Sequence, residues 1–79
     1  MMQNIIETLP HQSANKKRSV VVAGHRTSVS LENVFWDHLR KIAKSHRISI
    51  NELVTQIDQS RDGSLSSAIR VFILEDLRN

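Results

Sequence analysis

Between Arg26 and Ile57 the chain passes from an alternating segment directly into two helical patterns separated by a tight connection. The alternating segment is Arg26-Thr27-Ser28-Val29-Ser30-Leu31. In a strand it places Thr27, Val29 and Leu31 on one face and Arg26, Ser28 and Ser30 on the other. One strand with a polar, hydrogen-bonding face cannot form a sheet by itself. It has to pair with something, and its own copy in a second subunit is the simplest partner. An antiparallel pair of such strands is narrow enough to enter the major groove of B-DNA.

The size of the chain agrees with a partner. A 79-residue protein buries a modest fraction of its surface and is marginal as a monomer. Domains of this size rely on disulfides, a metal or oligomerisation. The absence of cysteine removes disulfides and thiolate zinc sites together, which leaves oligomerisation. No apolar run approaches the about 20 residues that span a bilayer. Met1-Met2-Gln3-Asn4 lacks the basic and apolar regions of a signal peptide. The expected location is the cytoplasm, with no membrane association.

The net charge of +3 is unevenly placed. Through Leu31 the bases are Lys16, Lys17, Arg18 and Arg26, and the acid is Glu7. From Glu32 onward seven bases face seven acids, so the whole excess lies in the strand and the segment before it. Charge of one sign gathered at one edge is the footprint of polyanion binding. A basic tail serving only solubility is the plainer reading of the same charge.

Residues 1–18 are expected to be a flexible basic arm, carrying Pro10, Ser13, Asn15 and the Lys16-Lys17-Arg18 cluster; the domain proper would be 19–79. Ile5, Ile6 and Leu9 suit one helical turn without stable structure around it. Ser19-Val20-Val21-Val22 is a β-prone run of branched residues, followed by Ala23-Gly24. Either it extends the ribbon strand or it folds back as a hairpin through Ala23-Gly24-His25-Arg26. The pattern is compatible with both.

A first helix is expected from Glu32 or Asn33 to Ser45, with Phe35, Trp36, Leu39, Ile42 and Ala43 on one stripe. Asp37, His38, Arg40, Lys41 and Lys44 take the other side. Trp36 and Phe35 lie on the apolar stripe and are expected in the core rather than as a base-stacking platform. The second helix has the clearest start. Ser49 and Glu52 make a capping box, Ile48 and Leu53 the hydrophobic staple, and Ile50, Leu53, Val54 and Ile57 the apolar repeat. Arg61-Asp62-Gly63 breaks the pattern, and Ser64 caps a third helix over 64–77. Leu65, Ala68, Ile69, Phe72 and Ile73 form its stripe, with Val71, Leu74 and Leu77 beside it. More than half its circumference is apolar. Either two faces are buried, one of them on a partner, or one broad face meets the core of a very small domain.

Strand, helix, tight turn and helix, with Ile48-Ser49-Ile50-Asn51 opening the second helix, resembles the ribbon–helix–helix family of Arc- and methionine-repressor-like proteins, which read DNA through a β-ribbon. The match covers roughly residues 25–59. Gly24-His25-Arg26-Thr27-Ser28-Val29-Ser30-Leu31 and Leu65-Ser66-Ser67-Ala68-Ile69-Arg70-Val71-Phe72 resemble a subgroup of very short bacterial members with one extra C-terminal helix. With that subgroup the likeness extends from about Val20 to Leu77.

The resemblance implies a mainly α protein with one short β-strand, an intertwined homodimer whose strands pair antiparallel between subunits, plus a third helix. Arg26, Ser28 and Ser30 would then reach base edges, since arginine can chelate guanine O6 and N7 and serine can serve any base. The amides of Ile50 and Asn51, with the Ser49 hydroxyl, would clamp a phosphate at the helix N-terminus. Lys16, Lys17, Arg18 and Arg47 would supply further phosphate contacts. Val29, Leu31, Trp36, Leu39, Ile42, Leu53 and Ile57 would form the dimer core. Two positions depart from the pattern. Glu32 stands where many relatives have proline or a small cap, and Arg47 where they commonly have glycine. In a left-handed conformation arginine costs on the order of 1 kcal/mol.

The function expected is that of a dimeric, sequence-specific DNA-binding transcriptional regulator of the repressor type. The alternative is a protein-interaction module, antitoxin-like or an adaptor, that docks a protein partner through the C-terminal helix. No enzyme is expected. His11, His25, His38 and His46 show no helical pairing, and Gly24 and Gly63 are isolated rather than part of a phosphate loop. No cofactor or metal is called for.

Overall fold

A computed structural model describes residues 14–79. The elements run β1 (Asn15–Val22), β2 (His25–Glu32), α1 (Asn33–Ser45), α2 (Ile50–Gln59) and α3 (Leu65–Arg78). No helix among the described residues is long and apolar enough to cross a membrane.

The strand of alternating residues has its partner within the same chain. β1 pairs antiparallel with β2, Lys17 opposite Ser30, Ser19 opposite Ser28 and Val21 opposite Arg26. Among the described residues there are thus two strands where one was expected, and the hairpin alternative holds. Ala23 and Gly24 make the two-residue connection with φ of 50° and 85°. Positive φ at both positions is the geometry whose twist matches a hairpin. β1 begins at Asn15, so Lys16, Lys17 and Arg18 are strand residues rather than the end of an arm. The suggested turn at Ile5, Ile6 and Leu9 lies outside the described residues.

The Asn33 amide donates to the Ala14 carbonyl at 2.9 Å and extends the ladder by one rung. That rung sets the phase of the whole hairpin. Pairs such as Arg18/Val29 and Val20/Thr27 exchange main-chain hydrogen bonds, whereas Lys17/Ser30, Ser19/Ser28 and Val21/Arg26 turn their main-chain groups off the two edges. α2 takes up the β1 edge: the Val21 amide donates to Asn51 Oδ1 at 3.0 Å, and Thr55 Oγ1 reaches the Val21 carbonyl at 3.5 Å. α3 takes up part of the β2 edge, where Ser66 Oγ donates to the Ser30 carbonyl at 3.1 Å.

The first helix ends in a Schellman motif. Arg47 adopts φ 58°, Ile48 N–H bonds the Ala43 carbonyl at 3.0 Å, and Arg47 N–H bonds Lys44 at 3.1 Å. The left-handed position suspected at Arg47 is therefore real. The capping box at α2 is complete: Glu52 N–H donates to Ser49 Oγ at 3.0 Å, and Ser49 N–H donates to Glu52 Oε1 at 3.2 Å. Ser64 caps α3 through the Ser67 amide at 3.1 Å.

Among the described residues, thirteen apolar side chains form one core between the inner hairpin face and the three helices. It contains Val20, Val22, Val29 and Leu31 from the strands, Trp36, Leu39, Ile42 and Ala43 from α1, Leu53, Val54 and Ile57 from α2, and Ile69 and Ile73 from α3. All seven residues expected in a dimer core are buried within the single chain. Within the chain α3 buries only the stripe of Ile69 and Ile73, so the broad core-facing face that was one expectation is not formed. Val71, Leu74 and Leu77 remain 56%, 52% and 57% exposed.

Candidate nucleic-acid interface

Directly opposed residues in an antiparallel pair share a face, so the register sorts the hairpin into two sides. The inner side carries Val20, Val22, Val29 and Leu31 and closes the core. The outer side carries Lys17, Ser19 and Val21 from β1 with Arg26, Ser28 and Ser30 from β2. Along it Lys17, Ser19, Val21, Arg26 and Ser28 are exposed and Ser30 is half-buried. The three residues expected to reach base edges are thus together on one face. Lys17 and Ser19 join them; Ser19 opens the β-prone run, and only the hairpin register, which the pattern left open, places it opposite Ser28.

The three basic residues of β1 divide between the faces. Lys17 is outward beside Ser30, whereas Lys16 and Arg18 stand opposite Leu31 and Val29 on the inner side. Both remain exposed at the rim. Arg18 lies over the Trp36 ring, 5.8 Å from its centroid, and Trp36 Nε1 donates to the Lys16 carbonyl at 2.8 Å. Trp36 is a core residue, as its stripe implies, and Phe35 is partly buried and packs against that core.

At the start of α2 the Ser49 hydroxyl is engaged by the cap, and the Glu52 carboxylate occupies the Ser49 amide. The Asn51 side chain is engaged too, fixing Val21. What the helix leaves for an anion is the pair of main-chain amides of Ile50 and Asn51, orphan donors of a first turn. The contact between Asn51 and Val21 sets this turn beside β1 near the hairpin tip. Arg47, exposed, precedes it in the chain.

Glu32 is the acid of the hairpin and caps α1 without a side-chain hydrogen bond to it. Its carboxylate is held instead by Arg70 of α3, with Nε to Oε1 at 2.9 Å and Nη2 to Oε2 at 3.3 Å. The hydrogen bonds from Arg70 hold the Glu32 carboxyl below the usual glutamate range. The Glu32 charge is therefore neutralised internally. Arg70 also lies over Phe35, 5.9 Å from the ring centroid. The hairpin then presents Lys16, Lys17, Arg18 and Arg26 with its one acid already paired.

The chain is similar to the solved structure of an uncharacterized protein from Bordetella pertussis Tohama I, at TM-score 0.74 and 26% identity. That likeness covers 91% of this chain and 62% of the other, so this chain spans less than two thirds of the Bordetella protein. No curated protein sequence matches it. The ribbon-helix-helix domain profile matches residues 15–77, from the first strand residue to the last turn of α3, and the chain belongs to the ribbon–helix–helix family.

Proposed function

We propose that this protein is a sequence-specific DNA-binding transcriptional regulator that sets its hairpin into the major groove. The family generally binds DNA, in transcription regulators or antitoxins, and its fold is a regulatory, non-enzymatic one. The observation that carries the reading is the outer face of the hairpin, where Arg26, Ser28 and Ser30 stand in register with Lys17 and Ser19. A two-stranded ribbon is what the groove admits, and here one chain supplies both strands. Arg26 chelates a guanine, and Ser28 and Ser30 donate to or accept from neighbouring bases. Lys17 and Arg47, with Lys16 and Arg18 at the rim and the Ile50 and Asn51 amides, take phosphates and set register without reading sequence.

A homodimer, typical of the family, belongs to this proposal and would present two hairpins to the DNA. Fluorescence anisotropy of labelled duplexes tests the reading. Binding to DNA upstream of the protein's own gene, compared with random duplex across a salt series, should be tighter for the upstream DNA and saturate at two chains per site. Equal, weak binding that vanishes by physiological salt would refute it.

One observation favours a second reading, a protein-interaction module that is antitoxin-like or an adaptor. Val71, Leu74 and Leu77 expose apolar surface along α3. Val71 and Phe72 also line a groove of about 860 Å³ between α2 and α3, floored by Ile48, Leu53 and Ile57. A purified homodimer that protects these α3 residues by self-association removes this reading.

A further inference from the structure

Val21 is the apolar residue of the hairpin's outer face. It stands on the outer face between buried Val20 and Val22, and it is 39% exposed. Its position is fixed on both sides. Asn51 and Thr55 hold its main chain from α2, and β1 is paired along its length with β2. Directly across the ribbon is Arg26. The two form a pair without mutual hydrogen bonds, in which Cα atoms approach to about 4.5 Å and side chains lie closest. That spacing is comparable with the base-pair rise of about 3.4 Å. Side chains presented together in this way meet the same or the next base pair.

The major groove offers one apolar group, the C5-methyl of thymine. We infer that Val21 is a specificity-determining residue that packs against the C5-methyl of a thymine in the base pair next to the guanine held by Arg26. The hairpin thus reads a thymine–guanine step with one residue from each strand, an apolar contact from β1 beside a bidentate hydrogen bond from β2. The rigid seat provided by Asn51 and Thr55 positions the valine before DNA arrives. The inference rests on the DNA-binding reading given above, and deepens it by naming a base step.

The test begins with selection of preferred duplexes from a randomised pool by the full-length protein. The guanine read by Arg26 is identified as the one whose preference is lost in Arg26→Ala. Each thymine of the selected duplex is then replaced by deoxyuridine, which removes only the methyl group, and affinity is measured for wild type, Val21→Ala and Val21→Thr. Thermal unfolding by circular dichroism confirms that both variants fold. Loss of the methyl next to the Arg26-dependent guanine should weaken wild-type binding about fourfold. Val21→Ala should bind the thymine and deoxyuridine duplexes equally. If no adjoining thymine responds, or if Val21→Ala keeps the full methyl effect, the inference is overturned while the Arg26-dependent preference leaves DNA reading intact. A pool that yields no preferred sequence overturns both.

Discussion

Arg70 on the last helix grips both carboxylate oxygens of Glu32 at the end of β2, across 38 positions of sequence. With Ser66 on the Ser30 carbonyl, it ties α3 to the strand that carries Arg26 and Ser28. The pair is about one third exposed, so its electrostatic contribution is screened. Its role is to seat one helix and to cancel one charge.

Arg70→Ala should lower the thermal midpoint at neutral pH, and the difference from wild type should close on acidification. The Glu32 carboxyl is held below its ordinary value in the folded state. An acid with a depressed folded pKa contributes stability above its unfolded pKa, about 4.3 for glutamate, and loses it as pH falls through the folded value. Melting curves of both proteins from pH 7 down through the carboxylate range check this. A difference that persists in strong acid would show that Arg70 acts through packing on Phe35 alone.

Arg47 carries two opposed roles that one substitution separates. Its φ of 58° suits glycine, so Arg47→Gly should stabilise the fold by about 0.5–1 kcal/mol. The same change removes a proposed phosphate contact, which should reduce the slope of log affinity against log salt by about 0.9. Chemical denaturation and a salt titration read the two effects independently.

At the hairpin tip Ala23 occupies the first left-handed turn position, at φ 50°. Asparagine followed by glycine is the preferred chemistry for that turn. Ala23→Asn should therefore raise stability by about 0.5–1 kcal/mol, measured by denaturant midpoint. It keeps the main-chain amide that donates to Thr55 Oγ1 at 3.2 Å. A loss of stability would mean that the Ala23 methyl contributes more than the backbone strain costs.

The outer and inner positions of β1 should differ in binding although their charges are alike. Lys17→Ala should weaken binding to every duplex and flatten the salt slope by about 0.9, with a smaller change for Lys16→Ala on the opposite face. Arg26→Ala should cost about 1–3 kcal/mol for the preferred duplex and little for random DNA. Isotherms for the three variants on both duplexes decide whether the faces are assigned correctly.

The helices were legible because their signals are local. Ser49 and Glu52 stand three residues apart and cap one another, and Trp36, Leu39, Ile42 and Ala43 fall on one stripe. The outer residues of β2 were legible for the same reason, through alternation alone. β1 was not. Charged residues at its start have weak strand propensity, and what makes them a strand is pairing with Leu31 and Val29 and support of Val21 by α2. The contacts from α2 come from 30 or more positions away and leave no periodic trace. How far the strands and α3 share one core was not legible, because it depends on where β1 and α3 come to rest. The ion pair of Glu32 and Arg70 was invisible for the same reason.

The single tryptophan of the chain is 1% exposed, with its indole N–H on the Lys16 carbonyl and Arg18 above its ring. The basic strand is therefore wired to the molecule's one strong native fluorophore. Peeling β1 from the core admits water to the indole and shifts its emission to the red, while helix unfolding is followed separately in the far ultraviolet. An unlabelled sample in a cuvette can thus report whether the hairpin opens before, with or after the rest of the fold.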